Sequence, residues 1–189
     1  MRKIFTATVF AALVATQAIA ADAPFAPWLE MTLTSTGFQD GAIIPDKFTQ
    51  NVPNFVSPAL EWTKAPAGTA SFVLIVHDPD VALNKKGDDV THWTAFNIPA
   101  TAKGLPEGVP TTDRLPDGTV QTKNIMGKAG YLGPGAPPSG PYHHYTFELY
   151  ALDAKLNLGP EASRADVLAA MDGHILAKAV NTGRHRKSK

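Results

Sequence analysis

Ser71-Phe72-Val73-Leu74-Ile75-Val76-His77-Asp78-Pro79-Asp80 sets an unbroken apolar run against a proline flanked by two carboxylates. The apolar residues do not alternate with polar ones, so a strand built from them is covered on both faces. The run is far too short to cross a bilayer, which takes roughly 20 residues. Pro79 fixes its own φ and drives Asp78 toward extended backbone, so the two carboxylates leave the strand in set directions. Taken alone, Asp-Pro-Asp also favours a turn.

Two further runs share this layout. His92-Trp93 precedes Thr94 to Ile98 (TAFNI), and His143-His144-Tyr145 precedes Thr146 to Leu152 (TFELYAL). Polar groups at strand ends gather at one rim of a sheet, where binding sites are usually built. A lone histidine there would more often be structural. Two histidine sites at the same relative position beside buried strands point instead to a shared site. A carboxylate beside an imidazole fixes its tautomer, raises its pKa and keeps a donor aimed at an anion.

Outward from these runs the chain reads as mainly β. Its 15 glycines and 16 prolines fall between apolar runs, which argues for many short strands joined by turns. Strands are expected at Met31 to Ser35, Leu60 to Thr63, Ser71 to His77, His92 to Ile98 and Tyr145 to Leu152, with a weaker one near Lys47 to Gln50. One helix is expected, capped by Ser163 with Asp166 three residues on; Val167, Leu168, Met171, Ile175 and Leu176 follow at helical spacing. Gly173 weakens its middle, so two short helices are also compatible with the pattern. Lys103 to Gly140 is a loop-rich stretch whose length points to function. Within it, Asn124 to Pro141 (NIMGKAGYLGPGAPPSGP) holds five glycines and four prolines. Such a loop lets backbone approach a ligand while staying stiff. It lacks the Lys-Ser or Lys-Thr and following helix of a Walker cradle, so anion donors would be backbone N–H groups and histidines.

Residues 1–20 carry Arg2 and Lys3, an apolar run from Ile4 to about Val14, and the small-residue end Ala18-Ile19-Ala20. This is the order of a secretory signal peptide cut before Ala21, and it predicts a periplasmic or secreted protein without a transmembrane segment. Its removal leaves fifteen basic against seventeen acidic residues, a net charge of −2 over 169 residues. One domain, residues 21–189, is expected, with a frayed basic tail from about residue 183. No dense basic stripe marks a nucleic-acid binder. The absence of cysteine excludes a disulfide, a thiolate nucleophile and a cysteine metal ligand.

The ordered set of motifs resembles the phosphatidylethanolamine-binding protein family, in its bacterial Raf-kinase-inhibitor-like branch. The matching pieces are Ser57-Pro58-Ala59-Leu60-Glu61-Trp62, Ser71 through Asp80, His92-Trp93 with Asn97-Ile98-Pro99, Gly130-Tyr131 with Gly133-Pro134 and Pro137-Pro138, and His143-His144-Tyr145 with Tyr150-Ala151-Leu152-Asp153. Met171 and Gly173-His174-Ile175-Leu176-Ala177 resemble the family's C-terminal helix. The resemblance implies a large antiparallel sheet packed on a smaller one, one or two short helices near the C-terminus, and one small anion pocket at the sheet edge. It implies a pocket made by Asp78, His92, His143 and Tyr145, walled by Gly133, Pro137 and Pro138, with Trp93 and Tyr131 lining or supporting it. The ligands implied are phosphate, phosphate esters or phospholipid head groups, with a protease or kinase as a protein partner. Three departures stand out: Val81-Ala82 where the family usually has Ala-Pro, Gly135-Ala136 where bacterial relatives often have one residue, and a Gly183 to Lys189 tail without the family's tyrosine, which argues against a tail contribution to the pocket.

The leading expectation is therefore an anion-binding protein, not an enzyme, that needs no cofactor or metal. A metal-dependent enzyme using two histidines and one aspartate is the alternative, though His92 and Asp78 stand 14 positions apart rather than paired on one element. A serine hydrolase using Ser71 or Ser139 lacks the Gly-x-Ser-x-Gly elbow.

Overall fold

The computed structural model describes residues 30–188, and the expected leader lies outside them. Among the described residues eight strands and one α-helix are formed: β1 Thr32–Ser35, β2 Leu60–Thr63, β3 Ser71–Asp78, β4 Val90–Pro99, β5 Gly104–Leu105, β6 Val120–Gln121, β7 His143–Leu152, α1 Arg164–Met171 and β8 Ile175–His185. A three-stranded sheet has the order β1-β2-β5, and a five-stranded sheet has the order β6-β4-β3-β7-β8. Every strand pair in both is antiparallel.

All eight residues of β3 are buried, as its unbroken apolar run requires. Phe72, Leu74 and Val76 point to the main core, which they share with Leu33 and Trp62 of the small sheet and with Phe147 and Leu149 of β7. Val73 and Ile75 point the other way, to a second core closed by Val167 and Met171 of α1. The central strand is thus sandwiched between the small sheet and the helix.

Three expectations are corrected. The weak strand near Lys47 to Gln50 is a single 3-10 turn, Asp46–Phe48, whose Phe48 ring is fully buried. The helix does not run through Leu176. It ends at Met171, Gly173 takes the left-handed conformation (φ 80°), and the chain reverses into β8. The inward residues of β8 are Ala177, Ala179, Asn181 and Gly183, too small or polar to declare a two-residue period. Nor is the chain frayed from residue 183. β8 continues to His185, Arg184 exchanges backbone hydrogen bonds with Ala42 and Ile44 (2.8 and 2.9 Å), and the Lys187 amide donates to Ala136 (3.0 Å).

The long loop is irregular but firmly held. The Gln121 amide donates to the carbonyls of Pro110 and Thr112 (both 2.7 Å) and accepts from the Trp93 indole (2.7 Å).

Candidate functional site

The β3–β7 ladder closes at His77 and Thr146, and side chains continue the join beyond it. The Nδ1 of His143 bonds Asp78 Oδ2 at 2.8 Å. One residue outward, Asp80 Oδ2 accepts from the His144 amide (2.6 Å) and Nδ1 (2.9 Å). The carboxylates on either side of Pro79 therefore hold the two histidines that open β7. Asp78 Oδ1 accepts from the Asp80 amide at 3.0 Å, so one oxygen makes the turn and the other holds His143. In the inner pair Asp78 is buried and His143 half-buried, with side-chain exposures of 4% and 14%, whereas His144 and Asp80 face water. Burial pulls the Asp80 carboxyl up, but the His144 hydrogen bonds and charge outweigh it and hold it below the usual range.

His92 reaches the same place through a β-bulge. Val76 pairs with Trp93 but His77 pairs with Thr91, leaving His92 as the extra residue in β4. An extra residue bends the strand and re-aims its side chain, so His92 and Trp93 need not face opposite ways. His92 Nδ1 donates to the Leu132 carbonyl (2.8 Å) while the Leu132 amide donates to His92 O (2.9 Å). The tautomer is thereby set and Nε2 is left uncommitted. Burial pushes the His92 imidazole below its ordinary pKa, more than the Leu132 carbonyl and the Asp78 charge pull it up.

Tyr145 lies edge-on to His92, with ring centroids 5.0 Å apart. Its hydroxyl accepts from the amides of Gly135 (3.2 Å) and Ala136 (3.1 Å), so this two-residue piece of the loop is seated on the tyrosine. Burial and then the Asp78 charge push the Tyr145 phenol up, keeping the hydroxyl protonated.

These groups surround a cavity of about 190 Å³ lined by Asp78, His92, His143, Tyr145, Gly135, Ala136 and Pro137, with Gln50, Val81, Val90, Ile125, Met126 and Leu132 completing the wall. Thus Asp78, His92, His143, Tyr145 and Pro137 are brought together as expected from the sequence. Gly133, Pro138, Trp93 and Tyr131 stand outside the lining. Gly133 is where the loop backbone meets the 3-10 turn: a Cβ there would lie 2.8 Å from the Phe48 carbonyl. The Tyr131 hydroxyl donates to that same carbonyl (2.9 Å), and Trp93 is fully buried in the main core. Pro138 is exposed. Gly133, Tyr131 and Trp93 therefore support the site from behind.

Gln50 was not legible as a site residue, because it falls in the stretch read as a weak strand. Its amide donates to Gly133 O at 2.7 Å and packs against Gly135. His185 was missed for the same reason as β8. It is buried beside Tyr145, with ring centroids 6.4 Å apart, and its Nε2 has no partner.

Among the described residues no lysine or arginine lines the cavity. Among the described residues no group of three or more His, Cys, Asp or Glu side chains is arranged to hold a metal ion. Ser71 is buried at the opposite end of β3 from Asp78 and donates to the Ala154 carbonyl (2.5 Å), and Ser139 is exposed, so neither meets the His143–Asp78 pair as a nucleophile. A larger depression, about 680 Å³, lies along Ala59–Lys64 and Lys103–Pro106 and contains no histidine. No helix among the described residues is long and apolar enough to cross a membrane.

Comparison with known proteins agrees with this fold. The family model described as phosphatidylethanolamine-binding protein matches residues 34–186. A UPF0098 protein of Methanothermobacter thermautotrophicus is 47% identical over 157 residues, covering 83% of this chain and 99% of its own. The UPF0098 protein YbhB of Escherichia coli is 37% identical over 155 residues, covering 79% and 96%. Among solved structures, Escherichia coli YbcL, described as a new member of the mammalian PEBP family, superposes with a TM-score of 0.74 at 32% identity, over 83% of this chain and 98% of that one. A putative homologue from Chlamydia trachomatis gives 0.73 at 36% identity, over 84% and 98%.

Proposed function

The chain belongs to the phosphatidylethanolamine-binding protein family, and on that footing we propose that its small pocket binds phosphate, phosphate esters or phospholipid head groups. The observation that carries this reading is the convergence of His143, backed by Asp78, with His92, tied to Leu132, on one cavity of about 190 Å³. Both imidazoles use Nδ1 on the protein, so Nε2 is the atom each has left for a ligand. In the imidazolium form, whose charge the Asp78 carboxylate balances, His143 donates a charge-assisted hydrogen bond to an anion. Neutral His92 has a lone pair at Nε2 and accepts instead. A ligand with both an acceptor oxygen and a donor fits this pair, as a phosphate carrying one P–OH or a head group carrying an ammonium does.

Charge-assisted bonds of this kind contribute about 1.5 to 3 kcal/mol each. With no guanidinium or ammonium in the wall, affinity for a small anion is modest. The order of residues 2–20 supports export as part of the same proposal, with ligands met outside the cytoplasm. Calorimetric titration of inorganic phosphate at about pH 6, below the ordinary imidazole pKa, tests the site. His143→Ala is expected to lose roughly tenfold or more in affinity, as removal of one charge-assisted bond implies; unchanged affinity rules the reading out.

A further inference from the structure

β8 forms one edge of the five-stranded sheet, and residues 40–44 close only its far end. There Thr182 and Arg184 turn their backbone groups away from β7. The Gly41 and Ile44 amides donate to the carbonyls of Thr182 (2.6 Å) and Arg184 (2.9 Å), and the Arg184 amide donates to Ala42 O (2.8 Å). The Thr182 amide donates to Asp40 Oδ1 (2.8 Å). Successive residues of a strand turn their backbone groups to opposite sides, and β8 pairs with β7 one to one from Ala177 to His185. The amides and carbonyls of Lys178 and Val180 therefore point outward as well. Among the described residues nothing pairs with them.

An open edge invites a further strand unless proline or a free charge guards it. Ala177 to Asn181 contains no proline, and its one charge is engaged elsewhere. The Lys178 ammonium is drawn back to Glu148 (2.5 Å) and over the Tyr150 ring (5.0 Å). Val180 stands beside it, 46% exposed.

This window is complementary to itself. Antiparallel pairing about a twofold axis at Ala179 sets Lys178 of each chain against Val180 of the other, and each such pair exchanges two hydrogen bonds. The aliphatic stem of Lys178 then lies against Val180. Moving the axis by one residue fails in both directions. Centred on Lys178, the two lysines oppose each other. Centred on Val180, each Lys178 meets Thr182, whose backbone is already bound to Asp40 and Gly41. We propose that the chain associates with a second copy through β8, joining the two five-stranded sheets into one. So short a contact falls below the standard interface size of about 1,200 Å² and upward, which makes the dimer weak and dependent on concentration. His143 pairs with His185 at one end of β8, so the two pockets lie at opposite ends of the joined sheet. The inference does not rest on the phosphate reading.

Sedimentation equilibrium over a wide range of protein concentration tests it, with the weight-average mass expected to climb from one chain toward two. Val180→Pro removes an outward amide that makes no bond within the chain. It is expected to weaken association roughly tenfold or more, as loss of two of the four bonds implies, with calorimetric affinity for inorganic phosphate unchanged. Val180→Lys sets like charges opposite each other and is expected to act in the same direction. The cysteine-free chain also reports the register. Lys178→Cys and Val180→Cys chains, mixed and oxidised, should cross-link to one another, since hydrogen-bonded partners lie about 5.5 Å apart at Cα. Either one alone should not, being two positions out of line. A mass that stays at one chain at every concentration overturns the proposal, whether the edge is closed from within the chain or taken by a strand of another protein. So does association that neither variant weakens, or Lys178→Cys chains that cross-link among themselves as readily as to Val180→Cys chains.

Discussion

Asp78 divides its oxygens between a turn and an imidazole, and that division explains why a short motif supported two readings at once. His92 has a sharper consequence. Because burial holds its imidazole low, it acquires charge only below the ordinary value of about 6.5. Phosphate affinity should therefore keep rising as pH falls below that value. A His92→Asn variant, which keeps a donor toward the Leu132 carbonyl, should lose the low-pH part of the rise, as calorimetry across that range will show. Tyr145→Phe removes the acceptor for two loop amides, and is expected to destabilise the protein by about 1–3 kcal/mol in urea unfolding, the usual penalty for unsatisfied buried groups. A change within about 0.5 kcal/mol would show that the amides find other partners. The histidines, Asp78 and Tyr145 were legible because each abuts a recognisable strand. Trp93, Gly133 and Tyr131 carry the same motif signature, yet they act one layer behind the cavity. Adjacency in the chain does not say which side chains face inward.

At the level of elements, the strongly apolar strands were readable and the small-residue strand was not. β3 announces itself by six consecutive apolar or small residues, but β8 turns alanine, asparagine and glycine inward and so hides its period. The bulge in β4 leaves no mark in the sequence, since it is defined by register against β3 and not by residue type. The helix start was legible through its cap. Ser163 accepts from the Asp166 amide at 3.1 Å, and the Asp166 carboxylate reaches back to the Ser163 amide at 2.9 Å. With only eight residues in α1, this box matters. Ser163→Ala is expected to lower stability by about 0.5–2 kcal/mol, measured by urea denaturation, while leaving phosphate binding in place because the helix lies on the far face of β3. No loss of stability would mean that the Arg164–Asp89 ion pair holds the helix without its cap.

For the molecule as a whole, the titrating groups set how stability responds to acid. His92 and His185 are both held low by burial, so the unfolded chain takes up protons first as pH falls. Stability should decline from the ordinary imidazole value of about 6.5 down toward their lower folded values. Glu148 adds a second, more acidic window. Burial raises its pKa, but the His77 imidazole 3.8 Å away and hydrogen bonds from Lys178 and Tyr150 outweigh that and bring it to about 2. Its contribution is complete above the ordinary glutamate value and is lost as pH falls through about 2. Urea midpoints followed from neutral pH into acid should fall in both windows, and added phosphate should oppose the first by binding protonated His92. A midpoint flat through the histidine window contradicts the burial argument.

The hold of Lys187 on Ala136 gives assembly a direction in time. A chain emerging N-terminus first can pair β3 with β7 as soon as Leu152 is out, but one wall of the receptor waits for Lys187. Until Lys187 has arrived, the nascent protein can hold its central strand pair while its mouth is incomplete, so ligand capture follows pairing of those strands.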